Sequence, residues 1–354
     1  MKGRILIAGE TWVTTAMHTK GFDTFVTTTF GEGYSSLKAA LEASGYEVDV
    51  IENHVAPTRF PDTAEALARY STIILSDIGA NTLLLHPNTW LNAQKSANKL
   101  DAIAEYVRNG GALLVASGPD YASDASLYTT PLADVLPAAP TGRVIEKPFF
   151  PEVTDLGKRH PVTRGLEGGD TSPPHWSRWF RQVETDRPGG EVVMKGADGD
   201  PLLVLEREDK GRVALLLSDQ VWLWARNFEG GGPHVDLLRR LAHWLMKEPD
   251  LEEEALRASA KGATLTIERQ TMRDAIDPVT VIAPSGARST ATLAPDGPGR
   301  FRAEIAANEI GLWRVEDGER RAFALVGPAN PREFQDVRST FDKLQPLVEA
   351  SGGR

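Results

Sequence analysis

The strongest constraint on this chain is a run of five apolar residues, Ala112–Ala116, set between Asn109-Gly110-Gly111 and Ser117-Gly118. A continuous apolar run of strand length reads as a strand covered on both faces, and such strands belong to mainly parallel sheets flanked by helices. The neighbouring segments fit that frame. Arg4–Ala8 reads as a first strand, Glu47–Ile51 as a second and Thr72–Leu75 as a third. Ser35–Ser44 carries Leu37, Ala40 and Leu41 at helical spacing and stops at Gly45, a residue suited to a helix end. Asp62 or Thr63 can cap Ala64–Tyr70, and Leu100–Arg108 is amphipathic. Leu202–Glu206 and Arg212–Leu217 read as a hairpin, followed by a helix over Pro233–Lys247 with Leu237, Leu238, Leu241 and Leu245 on one face. The alternation defines an α/β domain over residues 1–249.

Two stretches depart from it. From Pro119 to about Gly199 the chain is rich in Pro and Gly and reads as long excursions, which in such domains sit over the ligand end of the sheet. After Pro249, an acidic run at Asp250–Glu254 opens a segment, 250–261, that reads as a linker. Thr264–Glu268, Val279–Ala283, Thr290–Leu293, Phe301–Ile305, Gly311–Val315 and Ala322–Val326 are then short strands between Pro/Gly turns. They predict a small, immunoglobulin-like β-sandwich over 262–330, with a polar tail at 331–354 that can carry one helix.

Composition removes several classes of function. The 354 residues include no cysteine, so there is no disulfide, no thiolate metal site and no Cys nucleophile. The formal charge of −10 argues against nucleic acid or an anionic membrane as partner. No apolar stretch approaches the ~20 residues of a membrane helix, and Ile5–Ala8 is too short for a signal segment. The expected location is the cytoplasm, with a soluble domain attached to a membrane assembly as the alternative. No metal is expected, because the seven histidines show no ligand spacing; His243, inside a helix beside Trp244, reads as packed.

In open α/β sheets ligands bind beyond the carboxyl ends of the strands, so the residues following each strand nominate a site. Glu10 and Trp12 follow the first strand, Asp77 and Asn81 the third, and Ser117 and Asp120 the run Ala112–Ala116. Asp219 and Trp222 follow Arg212–Leu217. Ser117 stands where a strand-to-helix elbow can present a nucleophile, although the surrounding pattern is not G-x-S-x-G. Two segments interleave aromatics with arginine: His175–Arg181, which contains Trp179, and Trp222–Arg226. Alternation places Trp222 and Trp224 on one side if that segment is extended. The aromatics can form a platform for a sugar or planar ligand, or can simply cover the sheet edge.

Several of these motifs together resemble the bacterial class I glutamine amidotransferase-like proteins. They are Gly9-Glu10-Thr11-Trp12-Val13, Lys20-Gly21-Phe22-Asp23 and Ile74–Thr82. Ser218-Asp219-Gln220, Glu229–Pro233 and Arg239–Leu245 are similar to the amidotransferase-like domain of large bacterial membrane proteins, and Gly327–Pro331 extends that likeness. The resemblance implies a flavodoxin-like, amidotransferase-type parallel sheet. It also implies a Cys at the elbow and a His and Glu after a later strand, where this chain has Ser117-Gly118 and Ser218-Asp219-Gln220. Without a thiolate the thioester route to glutamine hydrolysis is closed.

The expected function is therefore a non-glutaminase ligand-binding or scaffolding protein. Its pocket lies at the strand ends, lined by Glu10, Trp12, Asp77, Asn81, Asp120, Trp179 and Trp222, for a small or carbohydrate-sized molecule and without a cofactor. The alternative is an amide or ester hydrolase with Ser117 as nucleophile, His160 as base and Asp77 or Asp219 orienting it. A protein partner docked on the C-terminal β domain, and a homo-oligomer, are further expectations.

Overall fold

A computed structural model describes residues 3–20, 23–327, 350 and 351, with side-chain surroundings outside 12–31 and Asp250. Contacts divide the chain between Glu253 and Glu254. The expected tail 331–354 lies almost wholly outside the described residues.

The first unit carries β1 (Arg4–Gly9), β2 (Thr11–Lys20), β3 (Asp23–Glu32), β4 (Glu47–Glu52), β5 (Thr72–Ser76) and β6 (Ala112–Ala116). β7 (Pro140–Ile145), β8 (Glu152–Val153), β9 (Gln182–Thr185), β10 (Glu191–Lys195), β11 (Pro201–Glu208) and β12 (Gly211–Leu216) follow. An eight-stranded sheet runs in the order β4-β1-β5-β6-β12-β11-β10-β8. From β4 to β12 every pairing is parallel, and β11, β10 and β8 extend the sheet antiparallel. The five residues of β6 are all buried, as their unbroken apolarity requires of a central strand.

Alternation divides the strand side chains between two cores. Ile5, Ile7, Ile74, Leu114 and Leu216 face the helices Ser35–Ala43 and His234–Leu245, meeting Leu37, Leu41, Leu238 and Leu241. Leu6, Ala8, Ile73, Leu75, Val115 and Leu215 face the other way, toward Leu100, Ile103 and Val107 of the helix Lys99–Arg108. That helix starts where Asn98 accepts a hydrogen bond from the Leu100 N–H, and it carries Asp101 in its first turn and Arg108 in its last. Both layers follow from the period-two pattern read in the sequence.

Two local expectations are corrected, and one element is new. Trp222 and Trp224 do not share one side of an extended segment: Val221–Ala225 is a short helix, so residues two apart diverge, with Trp224 buried and Trp222 partly exposed. The segment following Glu10, to which the sequence pattern assigns no element, is the paired hairpin β2–β3, in keeping with its many Thr residues. The expected linker is strand over most of its length. β13 (Ala255–Lys261) pairs residue by residue with β14 (Thr264–Gln270).

The second unit continues with β15 (Val279–Ile282), β16 (Arg288–Ala291), β17 (Ala294–Pro295), β18 (Arg300–Ala306), β19 (Gly311–Asp317) and β20 (Arg320–Val326). Two four-stranded antiparallel sheets, β13-β14-β18-β17 and β16-β15-β19-β20, enclose Leu265, Ile267, Val281, Trp313 and Val315. The β-sandwich expected from the turn spacing is present.

Candidate functional site

The carboxyl ends of β1, β5, β6 and β12 converge on a cavity of about 370 Å³. Its apolar floor includes Leu37, Leu114, Ala116, Leu216, Leu238 and Leu241, and its polar lining includes Glu10, Asp77, Asp219, Arg181, Trp222 and Arg226. Glu10, Asp77 and Asp219 stand in the turns after β1, β5 and β12, whereas Arg181 precedes β9 and Trp222 and Arg226 belong to the short helix Val221–Ala225 and its end. At the end of β1 the Glu10 N–H donates to the Ser76 carbonyl at 3.3 Å, continuing the ladder one residue past the strand.

Asp77 follows β5 with φ of 49°, a left-handed conformation uncommon for a residue with a side chain. Its N–H donates to the Ala116 carbonyl at 2.8 Å. Its carboxyl group lies against Gly118, where a Cβ would stand 1.8 Å from Oδ1. Gly118 therefore makes room for Asp77. Burial pushes the Asp77 carboxyl up to about 7, with the negative charges of Asp219 and Glu10 adding to the effect and Arg181 opposing it.

After β12, the Ser218 hydroxyl donates to the Arg181 carbonyl at 2.7 Å. The Asp219 carboxylate accepts from Arg181 Nε at 3.2 Å and also from its terminal NH2. This two-point bond commits the arginine to Asp219 and leaves Asp77 and Glu10 without a dedicated cation among these lining groups. Trp222 stands at the start of the following helix, and the Arg226 guanidinium lies 5.2 Å from the centre of its ring.

Of the residues nominated from the sequence, Glu10, Asp77, Asp219 and Trp222 share this cavity. Asn81 opens a short helix beyond it and is exposed, and Asp120 lies exposed in the turn Pro119–Ala122. Trp179 is fully buried, 4.9 Å from the ring of Trp224 and 6.5 Å from that of Phe149, so it packs rather than lines. The side chain of Trp12 lies outside the described residues. Arg181 and Ser35, which also line the cavity, are not among the residues that the strand ends nominate. Arg181 and Arg226 end the two aromatic–arginine segments, and that was the available signal.

The proposed triad is not assembled. Ser117 is buried, and its hydroxyl donates to the Leu216 carbonyl at 2.8 Å at the carboxyl end of β12. His160 lies at the opposite end of the sheet. Its Nε2 is 3.4 Å from Glu253, and Glu253 in turn bonds Arg207, which is registered across from Arg212 at the start of β12. Arg212 and Leu216 are four residues apart, roughly 13 Å along the strand. Asp219 is engaged with Arg181 rather than with an imidazole.

His160, Glu191 and Glu253 are the grouping among the described residues with metal-ligand reach, their ligand atoms lying within 4.8 Å of one another. The tautomer does not suit a metal. His160 Nδ1 accepts from the Val162 N–H at 3.2 Å, so the neutral ring carries its proton on Nε2, the atom facing the carboxylates. Burial pushes the Glu253 carboxyl up, but hydrogen bonds from His160, Arg207 and Trp244 outweigh it and hold the group well below its usual range. This cluster fastens the sheet's amino end.

A parallel sheet with a lined cavity at its carboxyl edge, and Ser117 directly after β6, defines an α/β domain on the class I amidotransferase plan. The family described as "Putative glutamine amidotransferase" (GATase1_like) matches residues 4–246, and the chain belongs to it. Two solved structures are similar. "Cytoplasmic Protein STM3548 from Salmonella typhimurium" is 28% identical, with 69% of this chain and 98% of that one covered at a TM-score of 0.58. "Cytoplasmic Protein STM1381 from Salmonella typhimurium LT2" is 31% identical, with 68% and 99% covered at 0.56. No curated protein matches the chain. Among the described residues, no helix is long and apolar enough to cross a membrane.

Proposed function

We propose that this member of the family is a non-glutaminase binding protein whose cavity takes a small, hydroxyl-rich, carbohydrate-sized molecule. The observation that carries the reading is the joining of an apolar floor to Asp77, Glu10, Asp219, Arg181 and Trp222 in a space of about 370 Å³. Ligand sites are of this size and combine an apolar lining with a few fixed polar groups. Carboxylates and guanidinium groups bond hydroxyls in pairs, while an indole face covers the C–H surface of a ring. A chain without cysteine has no thioester chemistry to offer. The same reading takes the protein to be cytoplasmic, as the two similar Salmonella proteins are named.

The test is thermal shift over a panel of monosaccharides, polyols and sugar acids, run beside ammonia release from glutamine and turnover of small amides and esters. The expected result is stabilisation by one hydroxyl-rich class, lost in Trp222→Ala while the unliganded melting temperature stays within a degree or two, since Trp222 is 37% exposed. Ammonia release, or ester turnover abolished by Ser117→Ala, overturns the reading and restores the serine-based hydrolase.

A further inference from the structure

The strand-end cavity carries more negative charge than its own arginines answer. Glu10, Glu32, Asp77 and Asp219 line it against Arg181 and Arg226. Arg181 is bound to Asp219 at two points, and Arg226, which is exposed, lies over the ring of Trp222. Glu10 and Asp77 are left to each other, joined by a side-chain hydrogen bond. In its protonated form Asp77 donates to Glu10 and keeps its carbonyl oxygen as an acceptor, while Glu10 keeps a second oxygen and the charge.

The serine next to Asp77 in the chain is also unspent. Ser76 ends β5 two residues after Ile74, so it turns toward the layer of Leu114 and Leu216, which floor the cavity. Ser76 is only 7% exposed and lines the cavity, and its hydroxyl has no hydrogen-bond partner among the described residues. The serines after β6 and β12 differ, because Ser117 and Ser218 donate to the carbonyls of Leu216 and Arg181. A buried hydroxyl without a partner costs stability unless a bound molecule supplies one.

An ammonium group has three N–H donors and no acceptor, the converse of what Glu10, Asp77 and Ser76 present. A ligand hydroxyl brings one proton and leaves the charge of Glu10 unanswered. A bare metal ion fits less well, since among the described residues the grouping with metal-ligand reach is His160, Glu191 and Glu253, at the other end of the sheet. Resting on the carbohydrate reading of this cavity, we propose that the molecule it takes carries a protonated amine, as an amino sugar or amino polyol does, with the ammonium held by Glu10, Asp77 and Ser76. The added positive charge balances the lining, and Trp222 remains free to cover the ring of the sugar.

Titration calorimetry in mildly acidic buffer tests it with glucosamine and galactosamine, each beside its parent sugar and its N-acetyl derivative. The amines are charged there, and the other two forms are neutral. The expected result is an amino sugar that binds at least about tenfold tighter than its neutral counterparts. In Glu10→Gln, a neutral variant of the same shape, that ratio falls to about one. In Ser76→Ala the ratio falls about threefold while the unliganded melting temperature is unchanged or higher, because the fold makes no use of that hydroxyl. Should Glu10→Gln fail to fold, Ser76→Ala alone decides. A ratio that survives both variants overturns the proposal. Neutral sugars that bind as tightly as the amines overturn it and leave the carbohydrate reading standing. Binding by none of these sugars, while a polyol or sugar acid stabilises the protein, overturns the amine alone; stabilisation by nothing hydroxyl-rich overturns the carbohydrate reading with it.

Discussion

The central sheet buries acidic groups at both of its ends and treats them in opposite ways. At the amino end, Glu253 accepts from Trp244 Nε1 at 2.6 Å and from Arg207, and it faces His160. Arg212, 2% exposed, bonds Glu252 at 2.5 Å and the Trp244 carbonyl, with its guanidinium 5.0 Å from the Trp244 ring centre. Every carboxylate there meets a donor, and Glu253 is held ionised. At the carboxyl end, Asp77 lies among other acids, and the nearby arginine is committed to Asp219. Burial with partners makes a fastening. Burial among like charges, with Glu10 as the hydrogen-bond partner, favours the protonated carboxyl, a group suited to a candidate ligand site.

The largest expected effect breaks the fastened end. Glu253→Ala leaves Arg207, His160 and the Trp244 N–H without their common acceptor, and removing one partner of a buried charge cluster costs about 3–5 kcal/mol. Urea unfolding at neutral pH measures it. The stabilisation from Glu253 is present above its ordinary value of 4.5 and is lost as pH falls toward its depressed folded value, so the variant's deficit shrinks in acid.

Asp77→Asn is expected to act with the opposite sign. Between the ordinary value of 3.8 and about 7 the folded chain holds a proton that the unfolded chain has released, so this group's contribution falls as pH rises through that window. Above the window the fold carries an unfavourable charge that asparagine lacks. Asparagine also tolerates the left-handed backbone. The variant should be more stable than the wild type by ~2 kcal/mol near pH 8, and the two should converge near pH 4. Chemical unfolding across the pH range reads both. A variant less stable than wild type at pH 8 would show that Asp77 is fastened as Glu253 is.

How much of this was legible in the sequence follows from the range of the interactions. β6 and the helix around Leu237–Leu245 declare themselves because their apolar period is local. Glu10, Asp77, Asp219 and Trp222 were found because each directly follows a strand, and parallel strands bring their ends to one edge. The Arg181–Asp219 bond and the His160–Glu253 contact join positions 38 and 93 residues apart through the Pro- and Gly-rich excursions, which carry no period to follow. That is why His160 could be nominated as a base beside Ser117 when it belongs to the other end of the sheet. Trp179 misled in a different way, because an aromatic beside arginines reads alike whether it lines a pocket or fills a core.

Gly118→Ala sharpens the comparison with the smallest perturbation of the fold. Gly118 has φ of −102°, which any residue adopts, so the substitution introduces no backbone strain. Its cost is the collision of a new methyl with the Asp77 carboxyl group, 1.8 Å from Oδ1 and 2.7 Å from Cγ. A carboxyl group can swing aside where a backbone cannot, so the loss of stability is expected to be only about 1 kcal/mol. Displacement takes Asp77 away from the environment that raises its pKa, so the fall in stability between pH 4 and 7 should flatten as it does in Asp77→Asn. The two variants should differ in binding. Asparagine keeps a hydrogen-bonding group in the cavity, whereas alanine at 118 moves that group out of place. Gly118→Ala is therefore expected to weaken the ligand found by thermal shift by at least about tenfold, and Asp77→Asn by less, with titration calorimetry as the readout. Equal loss in both would mean that the ligand needs the ionisable proton itself rather than a polar group held at that point.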